Sequence, residues 1–177
     1  SEAEKLLRDV EREVERVIED ADKLLREIEE IVKRSEDKAR EILKENEKIV
    51  RELKEAVRRT TDERKKEELK RRSEKVNRKS RKLVEDTKKE NEDVLREIEK
   101  RLRDLDRRLK EVEDRIRKAG VDEEVLRRIK KVVDDVRERL REVEKRIRDV
   151  IDRSRRVNER VLREAERTSR EVERAID

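Results

Sequence analysis

Apolar residues recur along this chain at spacings of three and four, and nearly everything between them is charged. Such spacing returns each apolar side chain to one face of an α-helix, whereas a half-buried strand would alternate every second residue. The first seam runs Ala3, Leu7, Val10, Val14, Val17, Ala21, Leu24, Ile28 and Ile31, with Ile18, Leu25 and Val32 widening it. It continues through Ser35, Ala39, Ile42, Asn46, Ile49, Leu53 and Ala56. A second runs Leu69, Ser73, Val76, Ser80, Leu83, Thr87, Asn91, Val94, Ile98, Leu102, Leu105, Leu109, Val112 and Ile116. A third runs Val125, Ile129, Val132, Val136, Leu140, Val143, Ile147, Val150, Ser154, Val157, Val161, Ala165, Thr168, Val172 and Ala175.

At 62% charged residues the chain could be disordered or form a solvated single helix. Neither state requires a continuous apolar stripe, so the seams argue for helices packed on one another. Val and Ile never alternate with period two and aromatic residues are lacking, so strands are excluded and the fold class is all-α. From Val125 to Ala175 the third seam covers 50 residues in 14 steps. That mean, about 3.57, lies between a left-handed supercoil and a straight helix, and predicts weak left-handed winding.

Two places interrupt the seams. Ala119-Gly120-Val121-Asp122 puts glycine where a helix end favours the left-handed conformation, followed by Asp122 as an N-cap with acids behind it. Arg58-Arg59-Thr60-Thr61-Asp62-Glu63 ends one helix on basic residues, and Thr60 with Glu63 fits a capping box. With turns there, helices are expected over about 2–59, 62–118 and 122–176, each roughly 85 Å long at ~1.5 Å per residue. One continuous helix through residue 118 is the competing topology.

The uncharged polar residues choose between these topologies. Leaving aside Ser1, Thr60 and Thr61, eleven remain: Ser35, Asn46, Ser73, Asn77, Ser80, Thr87, Asn91, Ser154, Asn158, Thr168 and Ser169. Each lies on a seam or directly beside one. Folding at both turns makes facing residue numbers sum to about 121 for the first pair and about 241 for the second. Ser35 then lies level with Thr87 and Ser154, and Asn46 lies level with Ser73 and Asn77, close to Thr168. All eleven fall in one half of an antiparallel up-down-up three-helix bundle, while the other half is aliphatic. A continuous helix gives no reason for that coincidence. A buried hydroxyl or amide left unpaired costs about 1–3 kcal/mol. Hydrogen-bond layers are therefore expected at the Ser35/Thr87/Ser154 and Asn46/Asn77/Thr168 levels. Asn158 and Ser169, at the seam margin, have solvent as their alternative.

A surface built only from Asp, Glu, Lys and Arg, aliphatic seams, Asn/Ser/Thr layers and the Ala119-Gly120-Val121-Asp122 connection together resemble de novo computationally designed helical bundles with buried hydrogen-bond networks. The likeness covers the whole chain and is one of style, carried by no single motif. It implies one idealised, very stable bundle domain over 1–177, made as a scaffold or assembly module without a natural substrate. The first turn departs from the pattern in lacking glycine. The second segment departs in having 13 apolar residues between 61 and 120, against 21 in residues 1–60.

No chemistry stands out. Without His or Cys there is no imidazole base, thiol nucleophile or soft metal site, and no Ser or Thr has a triad-type base. Pairs such as Asp134-Asp135 and Glu29-Glu30 read as solvated surface. No catalytic residue, cofactor, metal or small-molecule substrate is expected. The opening Ser1-Glu2-Ala3-Glu4 is unlike a signal peptide, and the longest apolar run is two residues, so neither targeting nor a membrane role is expected. Residues 61–120 carry 23 Lys/Arg against 17 Asp/Glu, with the densest basic stretch from Arg64 to Lys82. Non-specific polyanion binding there is the minor alternative, since aromatic stacking residues are lacking and sequence-reading contacts to nucleic acid are not expected. The main competitor is an interaction module, in which the polar-rich second seam faces a partner helix or a second copy.

Overall fold

The computed structural model describes residues 2–59 and 63–176 and contains three helices: α1 (Glu2–Arg59), α2 (Glu63–Lys118) and α3 (Glu123–Ile176). They pack against one another as a three-helix bundle, with no strand among the described residues. The expected turn at Thr60, Thr61 and Asp62, with its capping box, lies outside the described residues. At the other turn, Gly120 takes φ 60°, the left-handed conformation that glycine adopts without steric cost. The amide of Ala119 donates to the carbonyls of Arg115 and Ile116, closing α2. Asp122 accepts from the Leu126 amide at 3.0 Å, the first helical bond of α3, as an N-cap residue does.

The chain divides into two compact units, each drawing a segment from all three helices. The first comprises Ser1–Glu29 and Asp93–Val150. Its buried side chains are aliphatic throughout, among them Val17, Ile28, Leu109, Ile129, Val133, Val143 and Ile147. The order of cross-helix ion pairs gives strand-like bookkeeping for direction: Arg101 meets Glu27, while Arg108 meets Glu13 and Asp20, so α2 numbers rise as α1 numbers fall. These two segments are therefore antiparallel. The α2 and α3 segments are too, with Arg148 on Glu99 and Arg137 on Asp106 and Glu113.

The second unit comprises Glu30–Glu92 and Ile151–Asp177. Lys65 pairs with Glu52, Arg72 with Glu45, and Thr87 with Ser35, again in antiparallel order. Its core is thinner. Twelve buried aliphatic residues, three of them alanine, share the interior with ten buried Ser, Thr and Asn, whereas eighteen aliphatics and none of these polar residues are buried in the first unit.

Three seam positions fall one residue from their expected place. Val32 is buried and Ile31 only half-buried; Val133 is fully buried and Val132 half-buried; Asn158 is buried and Val157 half-buried. Each site lies between buried residues seven apart: 28 and 35, 129 and 136, or 154 and 161. At about 100° per residue the two candidates at each site lie equally far, about 50°, to either side of the midline, so helical geometry alone does not choose between them. The packing of the neighbouring helices buries the later residue each time, at the third site an amide in preference to a valine.

A fully buried Val, Leu or Ile contributes about 1.5–3 kcal/mol, several times a typical net hydrogen bond. Residues 63–92 bury only Leu69, Val76 and Leu83 as aliphatics. Amide hydrogen exchange followed by mass spectrometry should therefore find 63–92 exchanging at least tenfold faster than 98–116, which belongs to the first unit. Equal protection of both segments would contradict the assignment of a weaker core to the second unit.

Candidate functional site

The candidate site is the polar interior of the second unit, which contains all eleven residues singled out from the sequence. Ten of them are buried, and Asn77 is half-buried. Ser35 on α1 is the junction. Its Oγ lies 3.3 Å from Thr87 Oγ1 on α2 and accepts a hydrogen bond from Asn158 Nδ2 on α3 at 3.1 Å. A hydroxyl offers one donor and two acceptor positions, so Ser35 can serve both neighbours at once. The three side chains thus tie three helices together at one level. Ser154, which sequence register placed in this layer, is buried one turn away, and its Oγ has no partner.

At the other expected layer, Asn46, Asn77 and Thr168 form no hydrogen bond with one another among the described residues. Asn46 Oδ1 and Asn77 Oδ1 are buried without a partner. Two serines satisfy themselves on their own helix: Ser73 donates to the Lys70 carbonyl at 2.9 Å and Ser80 to the Val76 carbonyl at 2.8 Å. This back-bonding is the usual resort of a mid-helix serine with no better acceptor. Asn91, Thr168 and Ser169 are buried beside the same seams.

Around this interior runs a rim of charge that the seams alone do not assign. Arg72 on α2 bridges two acids on α1, holding Glu45 through Nε at 3.1 Å and Nη2 at 2.9 Å, and Glu52 through Nη1. Lys65 Nζ reaches the same Glu52 at 3.1 Å. Burial pushes the Glu52 carboxyl up, but the bonds from Lys65 and Arg72 outweigh it and hold its pKa below the ordinary range. Burial likewise lowers the Arg72 pKa, and its hydrogen bonds to Glu45 and Glu52 more than compensate. In the first unit Arg108 makes the corresponding bridge to Asp20 and Glu13, both at 2.8 Å, and the bond to Asp20 leads in raising its pKa. The sequence did carry a signal for these pairs: Arg72, Arg108, Glu13, Glu45 and Glu52 each stand immediately beside a buried seam residue. Such positions point along the helix margin toward the neighbouring helix.

Among the described residues no group of three or more Asp or Glu is placed to hold a metal ion, and no helix is long and apolar enough to cross a membrane. No protein-family model and no curated protein matches the sequence. Among solved structures, the chain is similar to a protein described as a computationally designed three helix bundle. The two are 21% identical with a TM-score of 0.57, over 99% of this chain and 87% of the other. At that identity the likeness speaks for the fold alone.

Two predictions follow from this geometry. Ser35→Ala strands the Asn158 amide and should cost about 1–3 kcal/mol in urea unfolding, while Ser154→Ala removes an unpaired hydroxyl and should be neutral or stabilising by about 1 kcal/mol. Equal effects from the two would deny Ser35 its junction role. Glu52 contributes stability above the pKa of an unfolded glutamate, near 4.3, and loses it as pH falls through its depressed folded value. Because the side chain is 34% exposed, the contribution is at most about 1 kcal/mol. Unfolding midpoints at pH 7 and pH 3 should therefore diverge slightly more for the parent chain than for Glu52→Gln.

Proposed function

We propose that this chain is a designed structural scaffold, without catalytic activity, whose buried polar side chains specify how its helices pair. The observation that carries this reading is the Asn158–Ser35–Thr87 connection, in which three helices contribute one polar group each to a single buried chain. Aliphatic contacts tolerate sliding by one helical turn, since one valine replaces another. A buried hydroxyl that loses its partner does not, so such groups penalise wrong registers more than they stabilise the right one. The fold's likeness to a computationally designed bundle, and a surface almost free of Ser, Thr, Asn and Gln, support the same reading. Asn46 and Asn77, whose oxygens lack partners, would then act by exclusion. Replacing either with Leu is expected to keep or raise stability while loosening register, as seen by altered cross-linking between cysteines placed on α1 and α2. We further propose that residues 1–177 fold as one domain with weak left-handed winding, since each compact unit draws on all three helices.

A second reading, a module of a larger helical assembly, is favoured by one feature. Asn46, half-buried Val50 and Thr168 line a groove of about 580 Å³ between α1 and α3 in the second unit. The scaffold reading expects a mass of 21.7 kDa by light scattering at every concentration. A multiple of that mass, weakened by Val50→Glu, would replace it with the assembly reading.

A further inference from the structure

Among the eleven cations between Arg64 and Lys82, two sets stand apart in the structure. Lys65 and Arg72 turn toward α1 and are held by Glu45, Glu52 and Glu68. About 100° further round the helix, on the outward face of α2, stand Arg64, Arg71, Lys75, Arg78 and Lys82, and the series continues to Lys89. Their spacings of seven, four, three, four and seven keep all six on one helical line. At about 1.5 Å per residue that line is roughly 38 Å long. All six side chains are exposed, and none forms an ion pair among the described residues. The line itself contains no acid; Glu67, Glu74 and Glu85 flank it on one side, and Glu68 and Asp86 on the other. The unit that carries it has 31 Lys/Arg against 24 Asp/Glu, so the surrounding field has the same sign.

We propose that the outer face of α2, from Arg64 to Lys89, is a binding rail for a flexible linear phosphate chain, for which inorganic polyphosphate is the fitting ligand. This goes beyond the scaffold reading and does not depend on it. A single straight row of unpaired cations matches one anionic strand laid lengthwise. A nucleic-acid duplex fits less well, because its backbones wind away from a straight line. Single-stranded nucleic acid would leave its bases without the aromatic side chains on which bases stack. An anionic bilayer would need apolar side chains beside the cations to enter the lipid, and this face has none.

The experiment measures polyphosphate affinity between about 50 and 200 mM salt, a range over which several phosphate contacts have a large effect. Six contacts on a single-stranded polyanion give a log–log salt slope of roughly −4, a loss on the order of 10²–10³-fold across that range. The variant R71Q/K75Q/R78Q/K82Q should reduce the slope to about −1 and abolish measurable binding at the higher salt. The control K33Q/K44Q/K48Q/R51Q removes the same charge from exposed positions on α1 and should keep the parent slope. Circular dichroism checks that both remain helical. No binding at low salt, equal losses in the two variants, or tighter binding to charge-matched duplex DNA or anionic vesicles would each overturn the proposal.

Discussion

A helix whose apolar residues follow a three–four spacing can be dry along that stripe only if other stripes cover it. Every other feature of this chain depends on that constraint. Without aromatic residues, methionine or cysteine, the interior has only Val, Leu, Ile and Ala to fill it. Three long helices supply one stripe each, and in the first unit they close over an interior of aliphatic side chains alone. Where two adjacent residues compete for one place on the stripe, as Ile31 and Val32 do, helical periodicity leaves them equivalent and packing against the other helices decides which faces inward.

The second unit meets the same constraint with less apolar material, so its polar groups must be accommodated. They are accommodated in three different ways. Ser35 joins Thr87 and Asn158 across helices. Ser73 and Ser80 return to carbonyls of their own helix. Asn46, Asn77 and Ser154 present oxygens that find no partner. Such an interior buries less apolar surface, and each polar group in it has far fewer acceptable neighbours than a methyl group has. The first unit buries aliphatic side chains alone, and the second mixes them with ten buried Ser, Thr and Asn.

Charge adds a third level of organisation. At this composition most ion pairs are solvated and contribute little. Those at the seam margin differ because one arginine spans two acids of the neighbouring helix, as Arg72 does with Glu45 and Glu52, and Arg108 with Glu13 and Asp20. Pairing at the margin also leaves the outward faces to carry unneutralised charge. On α2 that leaves an exposed row of cations that the acids of its own helix neutralise only in part.

Much of this was legible in the residues themselves. The seams revealed the all-helical class and the three segments; Gly120 and Asp122 marked one turn; and the eleven Ser, Thr and Asn residues picked out by position all lie in the second unit, ten of them buried. These features are local or periodic, and a helix's geometry converts them directly into position. The choice of Asn158 over Ser154 as partner of Ser35, the self-satisfaction of Ser73 and Ser80, and the pairing of Arg72 with two acids were decided only by tertiary structure. Hydrogen bonds and bridged charges depend on differences of an ångström or two and on the rotation of a neighbouring helix. Sequence spacing fixes levels to about one turn, and one turn separates Ser154 from Asn158.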